Sequence, residues 1–198
     1  MYLVKYSGPF GYIKPWTAVR DSETYSQQFL NPSTIEGIEK KLFPHLLNSP
    51  GIHKIKRYRL TYSAISLQQE KTQPRGVSVK VDKKAKSITF NRATAVLKRG
   101  VLINPVLYLA FDNEEDALAA SNQHICLCRN EDILLPASEI FNISEEEFSD
   151  QKGRFPGFEL VASTEKAAFL VGFNRFNNSE PMYGELNIIG ENPLSDGN

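Results

Sequence analysis

Val106-Leu107-Tyr108-Leu109-Ala110-Phe111 has no polar face to turn outward as a strand, and Pro105 stands at its entrance, where no ladder donor is lost. A strand of that kind lies inside a sheet and is covered on both sides. The rest of the chain must therefore supply flanking strands and two layers of cover. With 198 residues, 41% of them apolar, there is enough material for one sizeable core.

Before this segment, Tyr2-Leu3-Val4-Lys5-Tyr6 predicts a strand ending at Gly8-Pro9-Phe10-Gly11, a turn that bulkier residues would block. A loop with little hydrophobic periodicity carries Tyr12, Lys14, Trp16 and Arg20. Asn31 or Ser33 then caps a helix, with Glu36 three residues after Ser33 and Ile35, Ile38, Leu42 and Leu46 at 3/4 spacing; Pro44 kinks or ends it. Residues 52–66 alternate as one long strand, with a bulge near Lys56-Arg57 where the parity slips. A Gln-rich connector, 67–74, leads to Val77, Val79 and Val81, which Ile88 and Phe90 answer across the basic tip Asp82-Lys83-Lys84-Ala85-Lys86. This hairpin predicts an arm over residues 75–92.

After the central segment, residues 112–123 predict a short helix with acidic residues in its first turn, and 125–128 the next strand. Cys126 and Cys128 are expected there as small buried strand residues, with no second ligand pair for a metal. The order strand, helix, strand, arm, strand, helix, strand is the βαββαβ of a ferredoxin-like or RRM-type domain, α+β in class, over residues 1–130. Residues 131–198 are expected to form a β-rich extension packed on it, with a helical turn at 144–147, strands at 158–162, 167–173 and 183–189, and a loose tail. No apolar run approaches the roughly 20 residues of a bilayer span, and the N-terminus lacks a signal-peptide core, so a soluble, cytoplasmic chain is expected.

Charge is divided along the chain: residues 1–104 hold 18 Lys and Arg against 6 Asp and Glu, and residues 105–198 hold 5 against 17. Zero net charge thus conceals a basic half, suited to a polyanion, and an acidic half, suited to a protein partner. Tyr12, Trp16, Tyr25, Tyr58 and Tyr62 are interleaved with the cations, the pairing that single-stranded RNA needs for phosphate neutralisation and base stacking. The candidate RNA-binding residues are Tyr12, Lys14, Trp16, Arg20, Lys54, Lys56, Arg57, Arg59, Arg75, Arg92, Lys98 and Arg99, aided by the backbone amides of Gly8 and Gly11. They are expected to converge on one groove.

The run Gly8-Pro9-Phe10-Gly11-Tyr12-Ile13-Lys14-Pro15-Trp16-Thr17, then Thr24-Tyr25, then Pro32-Ser33-Thr34-Ile35-Glu36-Gly37-Ile38, resembles the opening of the Cas-five family, subunits of CRISPR Cascade complexes. A strand into a Gly-aromatic segment, a basic loop and a Pro-Ser-x-x-x-Gly helix start follow in that family's order, and the likeness fades after Cys128. The resemblance implies an RNA-binding structural subunit of a type I effector in antiviral defence. Such a subunit anchors the 5′ handle of the CRISPR RNA and contacts a Cas-seven-type backbone subunit and the large subunit. It uses no cofactor, no membrane and no small-molecule substrate.

Two other readings stay open. One family subtype cuts precursor RNA without metal through a Tyr, Lys and His cluster, and such a nuclease needs a base, an acid and a cation. The histidines here, His45, His53 and His124, fall at a helix end, a strand start and before the fourth strand, none near Lys98-Arg99 in sequence. The other reading is an RRM-like scaffold that serves protein partners alone.

Overall fold

Val106–Phe111 is buried along both faces, as its composition requires. The computed structural model describes residues 1–15, 22–72, 76–82, 84–91, 94–150, 154–174 and 176–190. In chain order the elements are β1 (Tyr2–Ser7), β2 (Phe10–Gly11), β3 (Glu23–Tyr25), α1 (Pro32–Leu42), β4 (Ile55–Thr61), β5 (Ala64–Thr72), β6 (Ser78–Asp82), β7 (Ser87–Asn91), β8 (Ala95–Ile103) and β9 (Val106–Phe111). There follow α2 (Glu114–Ser121), β10 (Ile125–Cys126), β11 (Ile133–Asn142), α3 (Glu145–Ser149), β12 (Gly157–Ala162), β13 (Phe169–Asn174) and β14 (Glu180–Ile189). The class is α+β, with a few helices and many strands, which pair antiparallel among the described residues apart from β3 with β8.

Among the described residues the largest sheet runs β10-β11-β1-β9-β4-β12-β14-β13. Strand alternation sends Val4 and Tyr6 of β1 and Leu107, Leu109 and Phe111 of β9 to one face, and Leu3, Tyr108 and Ala110 to the other. The first face is covered by Ile35, Ile38 and Leu42 of α1 and by Ala117 and Ala120 of α2. Ile143, Phe148 and Phe155 close over the second, with the Tyr108 and Phe155 rings edge to face at 5.4 Å. Each such buried Leu or Phe contributes roughly 1.5–3 kcal/mol relative to exposure.

Local chemistry sets the helix that positions β4. Asn31 is the cap of α1, its Oδ1 accepting from Thr34 N at 2.9 Å, and Pro32 occupies the first turn. The helix stops at Leu42, and Pro44 opens a short 3-10 turn. Glu36 accepts from Gly51 N at 3.0 Å instead of completing a capping box. Glu39, fully buried on the inner face, accepts the N–H groups of His53, Lys54 and Ile55 at 2.8, 2.6 and 2.8 Å and so fixes the start of β4.

Several expectations meet a different outcome. The single strand over 52–66 breaks after Thr61: Tyr62 is buried against Phe158, and β5 leaves for a second sheet with β8, β2 and β3. Residues 67–72 are strand, not connector, because the ladder to β8 outweighs their polar composition. The fourth strand beside β1 is β11, whereas β10 is two residues long and pairs only with β11. The sheet therefore runs on through residue 130, and β12, β14 and β13 extend it beyond β4. Cys126 is half-buried and Cys128 exposed. The expected bulge is present, the register against β9 slipping between Ile55 and Arg57. No helix among the described residues is long and apolar enough to cross a membrane.

Candidate nucleic-acid interface

The bulge decides where the cations of β4 go. Arg57 and Arg59 share the face opposite α1, where both reach Glu159 of β12: Arg57 Nε and Nη2 donate to its carboxylate at 2.7 Å each, and Arg59 Nη2 at 2.9 Å. Arg59 is 0% exposed, donates to the carbonyls of Phe148 and Phe155 at 2.8 and 2.5 Å, and lies 3.9 Å from the Phe148 ring centroid. Burial lowers its pKa, opposed by Glu159. Burial of its own side chain, with the charge of Glu159, pushes the Tyr58 hydroxyl up to about 12. Both arginines were candidates for phosphate contact, and here the structure corrects the sequence reading: Arg59 is sealed inside, and Arg57 is held by Glu159 and Ser149.

Lys54 and Lys56 turn to α2 and its approach, Lys54 to Asp116 and across the Phe43 ring, Lys56 to Asp112 at 2.9 Å. Burial disfavours the Asp116 carboxylate, but hydrogen bonds from Lys54 and Asn113 outweigh it and hold its pKa below the usual range. The four cations of β4 thus pair with carboxylates from the acidic half of the chain and divide between different sides of the sheet. They do not form one groove.

Tyr12 is also corrected, being only 5% exposed. Its hydroxyl donates to Thr24 Oγ1 at 3.2 Å, and its ring lies 6.0 Å from the Arg99 guanidinium carbon and 5.6 Å from that of Arg129. Gly8 and Gly11 offer no cradle: a side chain at Gly8 would strike the Ile133 backbone, one at Gly11 the Leu127 side chain, and Gly8 N already donates to Pro105 O. Lys14 is exposed. Lys98, exposed, pairs with Glu23 at 3.4 Å beside the half-exposed ring of Tyr25, and Arg99 pairs with Glu70 at 3.5 Å. Trp16, Arg20, Arg75 and Arg92 lie outside the described residues.

The arm is different. β5 and β8 pair along their whole length, from Ala64 opposite Ile103 to Thr72 opposite Ala95, and β6 and β7 form the hairpin beyond them. Residues 64–103 hold nine Lys and Arg against two Asp and Glu. Lys71, Lys80, Lys84 and Lys86 are exposed and have no ion-pair partner among the described residues. Val79 faces Phe90 and Val81 faces Ile88, so these four side chains share one surface of the hairpin. All are exposed, Phe90 to 70%.

The histidines occupy separate places: His45 edge-on to Phe43, His53 with Nε2 2.9 Å from Pro50 O, and His124 exposed before β10. Arg129 was not among the candidates; an isolated arginine within an acidic half was the only sequence signal for it. No family model and no curated protein matches this chain.

Proposed function

We propose that the chain is an RNA-binding structural subunit of a CRISPR Cascade effector that anchors the 5′ handle of the guide RNA. One observation carries the reading: four exposed lysines of the inserted arm, Lys71, Lys80, Lys84 and Lys86, meet no carboxylate among the described residues, with Tyr25 exposed near the root of the arm. Phosphates meet hydrated lysines there without a buried pair having to open. The strand order β11-β1-β9-β4, with α1 after β1 and α2 after β9, supports assigning these elements to a ferredoxin-like βαββαβ unit. In this reading the sheet surface opposite α1 and α2 is not the RNA platform, since Phe148 and Phe155 already occupy it.

The apolar surface of the hairpin favours a second role for the arm, contact with a Cas-seven-type or large subunit, because an isolated two-stranded ribbon is marginal in water. A protein scaffold without RNA would use the same surface. Fluorescence anisotropy with a handle RNA separates the two. Contacts from about four lysines give log affinity a slope of roughly −3 against log salt. Affinity that ignores salt, or no binding at low salt, rejects the RNA role and leaves the scaffold.

A further inference from the structure

A small cleft lies where the arm joins the body. Gln68, Glu70 and Arg99 share one face of the β5–β8 ladder, and the loop between β10 and β11 brings Arg129 and Glu131 against them. With Phe10 these side chains line a space of about 220 Å3. That is below the roughly 300 Å3 at which sites for drug-sized ligands begin, and suits a single heterocycle.

Both arginines are held in place before any ligand arrives. Asp132, fully buried, takes Arg129 Nη2 at 2.7 Å and Nε at 3.0 Å, and Arg99 Nη1 donates to the Thr24 hydroxyl. The Tyr12 ring lies beside the two guanidinium groups. Glu70 and Glu131 stand at the rim, each 3.5 Å from an arginine Nε, with more than two fifths of each side chain open to solvent. Two arginines meet three carboxylates, Glu70, Glu131 and Asp132, so a bare phosphate is a poor fit. A flat neutral group with acceptors on one edge and donors on the other fits well. Guanine is that group: O6 and N7 match an arginine fork, while N1–H and N2–H match a carboxylate.

We infer that this cleft receives one guanine base, with Arg99 or Arg129 on its O6/N7 edge and Glu70 or Glu131 on its N1/N2 edge. The inference rests on the RNA-binding reading for the source of the base, but not for the recognition chemistry. Replacing a carboxylate by an amide sets an N–H group where one of guanine's two donors needs an acceptor, and so removes the preference over the other bases.

The test is calorimetric titration of the four nucleoside 5′-monophosphates into the full chain, beside anisotropy with a handle RNA. Guanosine monophosphate is expected to bind about tenfold or more tightly than the other three. The double variant Glu70→Gln, Glu131→Gln, at rim positions open to solvent in part, is expected to bring all four within about threefold while melting as the parent does. Equal binding of the four, or none at millimolar concentration, overturns the cleft even where RNA still binds with a salt slope. Guanosine monophosphate bound selectively by a chain that ignores RNA supports the cleft and overturns the RNA role.

Discussion

Lys54, Lys56, Arg57 and Arg59 sit within six residues on β4 and its approach, and each meets a carboxylate from the acidic half; Lys71, Lys80, Lys84 and Lys86 on the arm meet none among the described residues. The two sets are alike in sequence and differ in surroundings. β4 has a strand on either side and cover on both faces, so Arg59, fully buried there, loses its water and needs a partner, at a cost of several kcal/mol otherwise, whereas Lys56 reaches Asp112 at the surface. The ribbon of the arm leaves its lysines hydrated. Charge on β4 and its approach holds the halves of the chain together, and the charge of these four arm lysines stays in water.

The strongest way to break this contrast is at Glu159. Glu159→Ala leaves Arg57 without its carboxylate and Arg59 charged in the interior, and is expected to cost about 3–5 kcal/mol in urea unfolding. A loss below about 1 kcal/mol would show that the β4 arginines do not depend on it. Next is Glu39→Ala, which strips three backbone N–H groups of a charged acceptor; a loss of about 1.5–3 kcal/mol is expected by the same measurement.

Asp116→Asn has a smaller effect, about 1 kcal/mol at pH 7, and gives it a pH signature. The folded pKa of Asp116 is depressed, so its contribution is complete above the unfolded carboxylate pKa of about 4 and fades as pH falls through the folded value. Melting curves of parent and variant should converge in acid. A gap that persists below pH 3 would assign the loss to packing. Smallest is Lys84→Gln, expected to change stability by less than about 0.5 kcal/mol.

Elements with strong local signals were legible in the sequence: the doubly apolar β9, the capped α1 ended by proline, the hairpin, and the bulge beside Lys56. The division of residues 52–66 between two sheets was not, because Tyr62 and Ser63 look like continued alternation until Phe158, about a hundred residues away, stacks on Tyr62. Nor was β11 as the strand beside β1, since its register partners are remote in sequence. The candidate site suffered most. Glu39 and Arg59 are charged residues whose burial follows from distant partners, so composition placed the cations of β4 on a surface that the fold closes. The apolar partners of Arg59, Phe148 and Phe155, lie in the region where sequence periodicity was weakest.

The most direct test compares salt slopes of handle RNA binding for two triple variants, Lys80→Gln, Lys84→Gln, Lys86→Gln on the arm and Lys14→Gln, Lys54→Gln, Lys56→Gln on the body. The arm variant should flatten the slope by about 2, at roughly 0.7 per phosphate contact, while the body variant changes it by less than one contact. A flattened slope in the body variant with an unchanged slope in the arm variant would contradict the assignment of the polyanion surface to the arm.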